Sequence, residues 1–410
     1  MSAPTVELVQ RVHRELVARM DLRRADIDTL DEPALRQHTR GLLHRLIAEA
    51  ALPSDVDRAA LERHVLQDCI GLGLLEDLLA DDSISEIMVN GPREVYVETR
   101  GRLHRHERRF SDSTALSSVI ERLLGPTGRR VDEASPMVDA RLRDGSRLNV
   151  VLPPLALNGP CITIRKFARQ RFGLTELIAC GTLNEAMARL LHTATAARLN
   201  IVISGGTATG KTTLLNALAQ LIPPQERLIT IEDAAELALD RDNLVALEAR
   251  PRNVEGAGQV GIRDLLRNAL RMRPDRIVIG ECRGGEALDM LQAMNTGHTG
   301  SLTSVHANSS RDALSRLEVM ALMGGVDLPL AAIRGQIASA VNLIVQIERF
   351  ACGSRRIVEI TEVTGTEQGT LQTQELFRFL PCGRDDKGCV AGEFEASSLP
   401  ANFLRKKLAW

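Results

Sequence analysis

The sequence predicts an α/β protein: a main domain with a mostly parallel sheet covered on both faces, preceded by an α+β segment and a helical N-terminus. Three observations predict it. From Thr182 to Leu322 short apolar runs alternate with amphipathic helical stretches, the pattern of strand–helix–strand units. Between Ser83 and Lys166 the hydrophobic period is two, with turn residues between runs. Before Leu79 it is helical. The expected organisation is a helical bundle over residues 1–79, an α+β domain over 80–166, a connector over 167–181 and a nucleotide-type α/β domain over 182–410.

Leu8, Val12 and Leu16, then Leu42, Leu43, Leu46 and Ile47, recur at helical spacing. Residues 22–30 and 53–57 divide this region into three segments, the third running over 58–79 with a break at Gly71, Leu72 and Gly73. No constellation of polar groups recurs there, so a structural or docking role is expected. Residues 84–89, 94–98 and 102–106 alternate as strands, with Asn90-Gly91-Pro92 and Arg100-Gly101 as turns. A helix over 113–124 and strands over 147–152 and 161–166 complete the segment. His104 and His106 share one face of an exposed strand and read as a solvated face rather than a metal site. Arg147 and Arg165 lie in or beside apolar strands that end near the connector; read by themselves, they are ion-pair partners.

Thr182-Leu-Asn-Glu185 has capping-box spacing at the head of a helix. The apolar run Ile201, Val202, Ile203 then leads into Gly205, Gly206, Thr207, Ala208, Thr209, Gly210, Lys211, Thr212 and Thr213, followed by helix formers. This is G-x-x-x-x-G-K-[ST] in the strand–turn–helix context that gives it meaning. Backbone N–H groups of such a loop and the positive end of its helix can surround nucleotide phosphates. Lys211 would reach the β/γ-phosphates, and the Thr212 hydroxyl would ligate Mg²⁺. Further strands are expected at 227–231, 276–279 and 301–305, with helices at 262–272, 285–294 and 312–322. In such a sheet ligands gather at the carboxyl ends of strands. One strand runs into Glu281, an acid that could hold Mg²⁺ or its waters; another ends in Glu232 and Asp233, with Glu236 following. His298 and His306 flank the strand at 301–305. A histidine there could sense a γ-phosphate, but read by itself it satisfies a turn.

Bulk properties exclude other classes. With 410 residues, a net charge of −2 and 2% aromatic residues, the chain gives no general electrostatic reason to expect nucleic-acid binding and little material for a base-stacking platform. No apolar run reaches the ~18–20 residues of a membrane span, and the first residues lack a signal peptide's apolar core, so a cytoplasmic location without a membrane span is expected. The seven cysteines show no CxxC or zinc spacing and read as reduced, mostly buried thiols. Cys382 and Cys389 are the one pair of note.

Together, residues 205–212 (GGTATGKT), 229–237 (ITIEDAAEL), 270–298 and 301–308 (SLTSVHAN) resemble, in order, the Walker A, Asp box, Walker B and His box of the type II and type IV secretion and type IV pilus ATPases. Residues 71–79, 85–92, 128–157 and 162–167 narrow the resemblance to CpaF-type ATPases of tight-adherence (Tad) pili. The resemblance implies a RecA-like domain that hydrolyses ATP with Mg²⁺, a homohexameric ring, and a motor peripheral to the inner membrane acting on platform proteins. It also implies roles: Glu281 as the Walker B acid, holding Mg²⁺ through water; Glu232 as the Asp-box acid beside the metal; His298 as the His-box residue; Arg147 and Arg165 as arginines approaching the γ-phosphate.

Ala208-Thr209 stands where Gly-Ser is more usual, Cys282 replaces an aliphatic residue and Thr299 stands where an acid is common. None of these removes a backbone N–H or a ligand. A type II or type IV secretion ATPase, a RecA-like nucleic-acid motor and a nucleotide-binding scaffold without turnover are the alternatives. The absence of a cysteine-rich module points away from type II, and the pair Glu232 and Glu281 points away from a scaffold.

Overall fold

The computed structural model describes residues 5–21, 32–50, 52–53, 55–99, 101–167, 172–250, 258–385, 388–399 and 401–403. The expected breaks at 22–30 and at Arg100, part of the connector and the last seven residues lie outside them. The chain forms two compact units, Met1–Arg169 and Gln170–Trp410.

In the first unit, α1 (Val6–Asp21), α2 (Glu32–Glu49) and α3 (Arg58–Ile70) bury Val12, Leu16, Leu43, Leu46, Leu61 and Val65 against one another. The Asp57 carboxylate caps α3 by accepting the N–H groups of Ala59 and Ala60. The Gly71–Gly73 break separates two cores. Leu61, Val65 and Leu66 belong to the bundle, whereas Leu75 and Leu78 of α4 (Leu75–Ala80) pack into the neighbouring sheet. That sheet is antiparallel, in the order β3-β2-β1-β6-β5-β4. Its strands are β1 (Ile84–Asn90), β2 (Val95–Thr99), β3 (Arg102–Arg105), β4 (Met137–Arg141), β5 (Arg147–Val151) and β6 (Cys161–Arg165). α5 (Ser113–Leu124) covers it through Leu116, Val119, Ile120 and Leu123. β4 was not expected: its residues are half-buried or exposed, which leaves little apolar alternation to read.

In the second unit the sequence reading needs three corrections. Residues 174–179, read as connector, form helix α6 (Leu174–Ala179), whose Leu177 enters the core. The cap of α7 (Glu185–Ala196) is Asn184, whose Oδ1 accepts the Met187 N–H at 2.9 Å, and not Thr182, which is buried with its N–H donated to the Leu177 carbonyl and its carbonyl accepting the Ile357 N–H. The sheet is mixed. Among the described residues it has nine strands in the order β15-β14-β13-β12-β7-β11-β10-β8-β9. The parallel part comprises β7 (Ile201–Gly205), β8 (Leu228–Glu232), β9 (Leu244–Glu248), β10 (Arg276–Cys282), β11 (Leu302–Val305) and β12 (Leu343–Arg349). β13 (Arg355–Glu367), β14 (Thr370–Arg384) and β15 (Val390–Ala396) extend it antiparallel.

Alternation along the parallel strands feeds two cores. Ile201 and Ile203 face α7 and α8 (Lys211–Gln220), while Val202, Ile277 and Ile279 face the other layer. That layer consists of α9 (Ile262–Ala269), α10 (Glu286–Asn295), α11 (Ser310–Leu322) and α12 (Leu330–Ala340). Helices on both faces explain why these strands read as nearly continuous apolar runs.

Among the described residues of this unit, Arg276 is the most deeply buried charged side chain. Arg276, 0% exposed, is held by Glu226 at 2.6 and 3.0 Å and donates to the Thr195 carbonyl at 2.7 Å. Removing one partner of such a pair leaves an uncompensated buried charge, at a cost of about 3–5 kcal/mol. Glu226→Ala should lower the stability of this unit by that amount in urea titration. A loss below about 1 kcal/mol would show that water or Arg276 rearrangement satisfies the guanidinium.

Candidate functional site

The loop between β7 and α8 has the shape its composition demands. Gly210 takes φ 99°, in the left-handed region, and it offers no side chain to cap the first turn of α8. The first N–H groups of that helix therefore carry the positive end of the dipole without a side-chain cap, the arrangement that favours an anion. Gly205 is required by close approach: a Cβ there would stand 2.5 Å from the Ile347 carbonyl oxygen. Ala208 also lies in the left-handed region, at φ 58°, where a Cβ costs about 1 kcal/mol. Its carbonyl accepts Arg355 Nε at 3.2 Å, and Thr209 Oγ1 donates to the Gly206 carbonyl at 3.0 Å. Thr207 is exposed, and Thr212 and Thr213 are half-buried in the first turn of α8.

Lys211 Nζ donates to the carbonyls of Gly205 and Gly206 at 3.1 and 2.9 Å and stands 3.7 Å from Glu281 Oε1. Glu281 is held from its other side by Arg283, whose Nε and Nη2 lie 2.8 and 2.6 Å from Oε2; Arg283 Nη1 also reaches Asp233 at 3.4 Å. The parallel register brings these groups together. Ile231 pairs with Ile279, so Glu232 lies beside Gly280, whose hydrogen leaves room for it: a Cβ on Gly280 would stand 2.9 Å from Glu232 Cγ.

Glu232 is 3% exposed and accepts the N–H groups of Glu236 and Leu237 at 2.9 and 3.1 Å. Burial pushes its carboxyl up to about 7, outweighing those two hydrogen bonds. A carboxyl near the working pH can hold or take a proton, as a general base requires. Cys282, next to Glu281, is buried beside Met290 and Thr303, and burial pushes its thiol up to about 12. It is a packing residue.

The expectation for His298 is not met. His298 precedes β11 by four residues, and Leu302 of β11 pairs with Ile201 at the amino end of β7. Its turn is tied there by Asn200, whose Oδ1 accepts the N–H groups of Gly300 and Ser301. A strand rises ~3.3 Å per residue, so His298 lies a whole strand length from the phosphate loop of this chain. His306 follows Val305, which pairs with Ser204 and Cys282, and so emerges at the same sheet edge as Gly205 and Glu281. The SVHAN segment carried this signal; strand direction was the missing fact.

In the first unit, Arg147 and Arg165 are direct cross-strand partners between β5 and β6 and are both exposed. Arg165 Nε is 3.8 Å from Glu86, an ion pair of the kind the sequence left open. Like charges directly opposite on a sheet repel. An anion placed over both would relieve that repulsion.

Among the described residues no group of three or more His, Cys, Asp or Glu could hold a metal by itself. Mg²⁺ bound with a nucleotide needs only one or two protein oxygens and completes its shell with water and phosphate. The residues expected to hold it stand at the start of α8 (Thr212), at the end of β8 (Glu232) and near the end of β10 (Glu281).

Because Glu232 is raised, the folded chain keeps a proton that the unfolded chain gives up above the usual glutamate value of 4.5. The stabilising contribution is present below about 4.5 and is lost as pH rises through about 7. Glu232→Gln should therefore match the wild type in Tm near pH 5 and exceed it increasingly towards pH 8. A difference that does not vary with pH would refute the buried, protonated carboxyl.

Residues 69–391 match the family model described as Type II/IV secretion system protein. A Mycobacterium tuberculosis protein provisionally named for conjugal transfer is 41% identical over 319 residues, covering 76% of this chain and 90% of that protein. Conjugal transfer protein TrbB of Rhizobium radiobacter is 35% identical over 317 residues, covering 75% and 92%. The structure of the Legionella pneumophila ATPase DotB superposes with a TM-score of 0.50 at 21% identity, over 69% of this chain and 77% of that one, a likeness of fold. With glycine loop, strand-end acids and sheet order in place, and with most of its length matched, the chain belongs to the Type II/IV secretion system protein family.

Proposed function

We propose that the chain is an ATPase motor that drives assembly of Tad-type pili. The observation that carries the ATPase reading is the placement of Lys211 3.7 Å from Glu281, on a phosphate-loop lysine and a strand-end acid of one parallel sheet. Lys211, now held by the Gly205 and Gly206 carbonyls, turns to the β/γ-phosphates when these enter the loop. Bound Mg²⁺ would offset phosphate charge as the γ-group leaves. Glu281 would hold the cation or its waters, and Glu232, poised at about 7, takes the proton of the attacking water or hands it on. His306, at the same edge, exchanges hydrogen bonds with the γ-phosphate or its absence. Through the family resemblance, Arg147 and Arg165 supply cationic charge to the γ-phosphate.

The finer reading rests on the Tad-like segments upstream of the loop: a homohexamer, cytoplasmic and peripheral to the inner membrane, passing force through residues 1–79 to platform proteins. No described helix is long and apolar enough to cross a membrane. A second reading, a type IV or conjugal-transfer ATPase, is favoured by the names of the relatives. Deleting the gene and scoring pili and plasmid transfer separates the two.

Lys211→Ala should abolish ATP hydrolysis, and Glu281→Gln should bind ATP but lose turnover by on the order of 10²–10³. Glu281→Gln turnover within a few-fold of wild type would discard its role. His306→Ala should lower kcat by about tenfold or more with little change in KM, while His298→Ala should leave kcat within about threefold. The reverse result would restore His298 to the site. Native mass with Mg²⁺ and a non-hydrolysable ATP analogue should correspond to six chains; a fully active monomer contradicts the ring.

A further inference from the structure

Of the seven cysteines only Cys282 is buried, contrary to the expectation of mostly buried thiols; Cys180 and Cys382 are exposed and the other four half-buried. Two of these four lie together. Phe350, in the turn between β12 and β13, packs on Phe379 with centroids 6.0 Å apart, and Phe394 of β15 packs on the same ring at 5.2 Å. Arg356 lies over that ring at 5.3 Å and donates from Nη2 to the Val390 carbonyl at 3.1 Å. These contacts clamp residues 350–356 against residues 389–394, with Cys352 on one side and Cys389 on the other.

The Cys352 sulfur is 3.0 Å from the Ser354 hydroxyl and within hydrogen-bond reach of the Val390 N–H and the Cys389 thiol. The Ser354 hydroxyl first, then the backbone N–H groups and Cys389, lower the Cys352 thiol to about 6. A cysteine in that range is thiolate at neutral pH and is the form that attacks disulfides. The turn carrying Cys389 is itself closed by Asp385, whose carboxylate accepts the Cys389 N–H at 2.8 Å and whose own N–H donates to the Cys389 carbonyl at 2.8 Å.

The same turn touches the phosphate loop. Arg355, three residues beyond Cys352, donates to the Ala208 carbonyl at 3.2 Å, and a Cβ on Gly210 would stand 3.3 Å from its Cδ. We propose that Cys352 and Cys389 form a reversible disulfide site, oxidised by a small-molecule disulfide, and that its closure draws Arg355 off the phosphate loop and weakens nucleotide binding. The nucleotide half rests on the ATPase reading; the bridging half does not.

The chemistry balances. The Cys352 thiolate attacks one sulfur of the small disulfide, forming a mixed disulfide and expelling a thiolate. Cys389 loses its proton, attacks the Cys352 sulfur and expels the second thiolate. Two protein thiols are oxidised and one small disulfide is reduced to two thiols. Sulfurs at hydrogen-bond separation must close to ~2.05 Å, so the turn moves toward Cys389 and Arg355 moves with it. In a reducing compartment such a bridge is transient and regulatory rather than structural.

The test incubates the full chain with oxidised glutathione, blocks remaining thiols with iodoacetamide and maps peptides by mass spectrometry without reductant. The expected product is a Cys352–Cys389 linked peptide that dithiothreitol reverses. Cys389→Ser should instead carry glutathione on Cys352, and Cys352→Ser should give neither product. The bridged chain should bind a fluorescent non-hydrolysable ATP analogue at least about fivefold more weakly, recovering on reduction. Seven alkylated thiols, or a bridge from Cys389 to Cys382, would overturn the site, and a bridge without an affinity change would overturn the coupling. A chain that binds no analogue in either form contradicts the ATPase reading, and the peptide map then decides the site by itself.

Discussion

Parallel pairing of β7 with β11, and of β10 with β8, decides which end of each strand can do chemistry. In register, Gly205, Glu232, Glu281 and His306 are brought to one edge of the sheet although they are spread over about a hundred residues of sequence. A one-residue slip would move every side chain to the opposite face and dissolve the cluster. The same pairing sends His298 to the other edge, where Asn200 binds its turn through Gly300 and Ser301. Strand direction, not motif membership, separates the two histidines.

Several features at that edge run against stability. Ala208 holds a left-handed conformation, α8 begins without a side-chain cap, and Glu232 is buried as a carboxyl that ionises only near neutrality. Each is a local cost of order 1 kcal/mol or more that a purely structural turn would avoid. The surrounding sheet tolerates them because both faces are covered: helices α7 and α8 on one side, α9 to α12 on the other. Costs of this kind concentrate where a ligand supplies the missing partner, and an anion at the loop supplies one for the α8 terminus.

Much of this was legible in the sequence. The apolar strands at 201–203 and 276–279 and the glycine loop announced themselves because a doubly covered parallel strand is a run of apolar residues ended by turn chemistry. What was not read had mostly weak patterning; the exception is β12, a buried apolar run that was passed over. β9 is an edge strand with half-buried residues, and β13 to β15 carry polar residues on an open face, so neither alternation nor an apolar run stood out. The cap of α7 passed to Asn184 because Thr182 was already buried, a tertiary fact. At the site, the acids could be read from strand ends, but choosing between His298 and His306 needed the pairing register. The proximity of Cys352 and Cys389 depends on an aromatic cluster drawn from one turn and two strands, and no spacing rule carries it.

The central claim is that one edge of one sheet binds the nucleotide and does the chemistry. A structure of the chain with Mg²⁺ and a non-hydrolysable ATP analogue tests it most directly. The account predicts β- and γ-phosphates within the loop of residues 205–213, Lys211 turned from the glycine carbonyls to the phosphates, a cation between Thr212 and the Glu281 side, and His306 as the nearer histidine. Phosphates bound elsewhere, or a γ-phosphate held by His298 of the same chain, would contradict it.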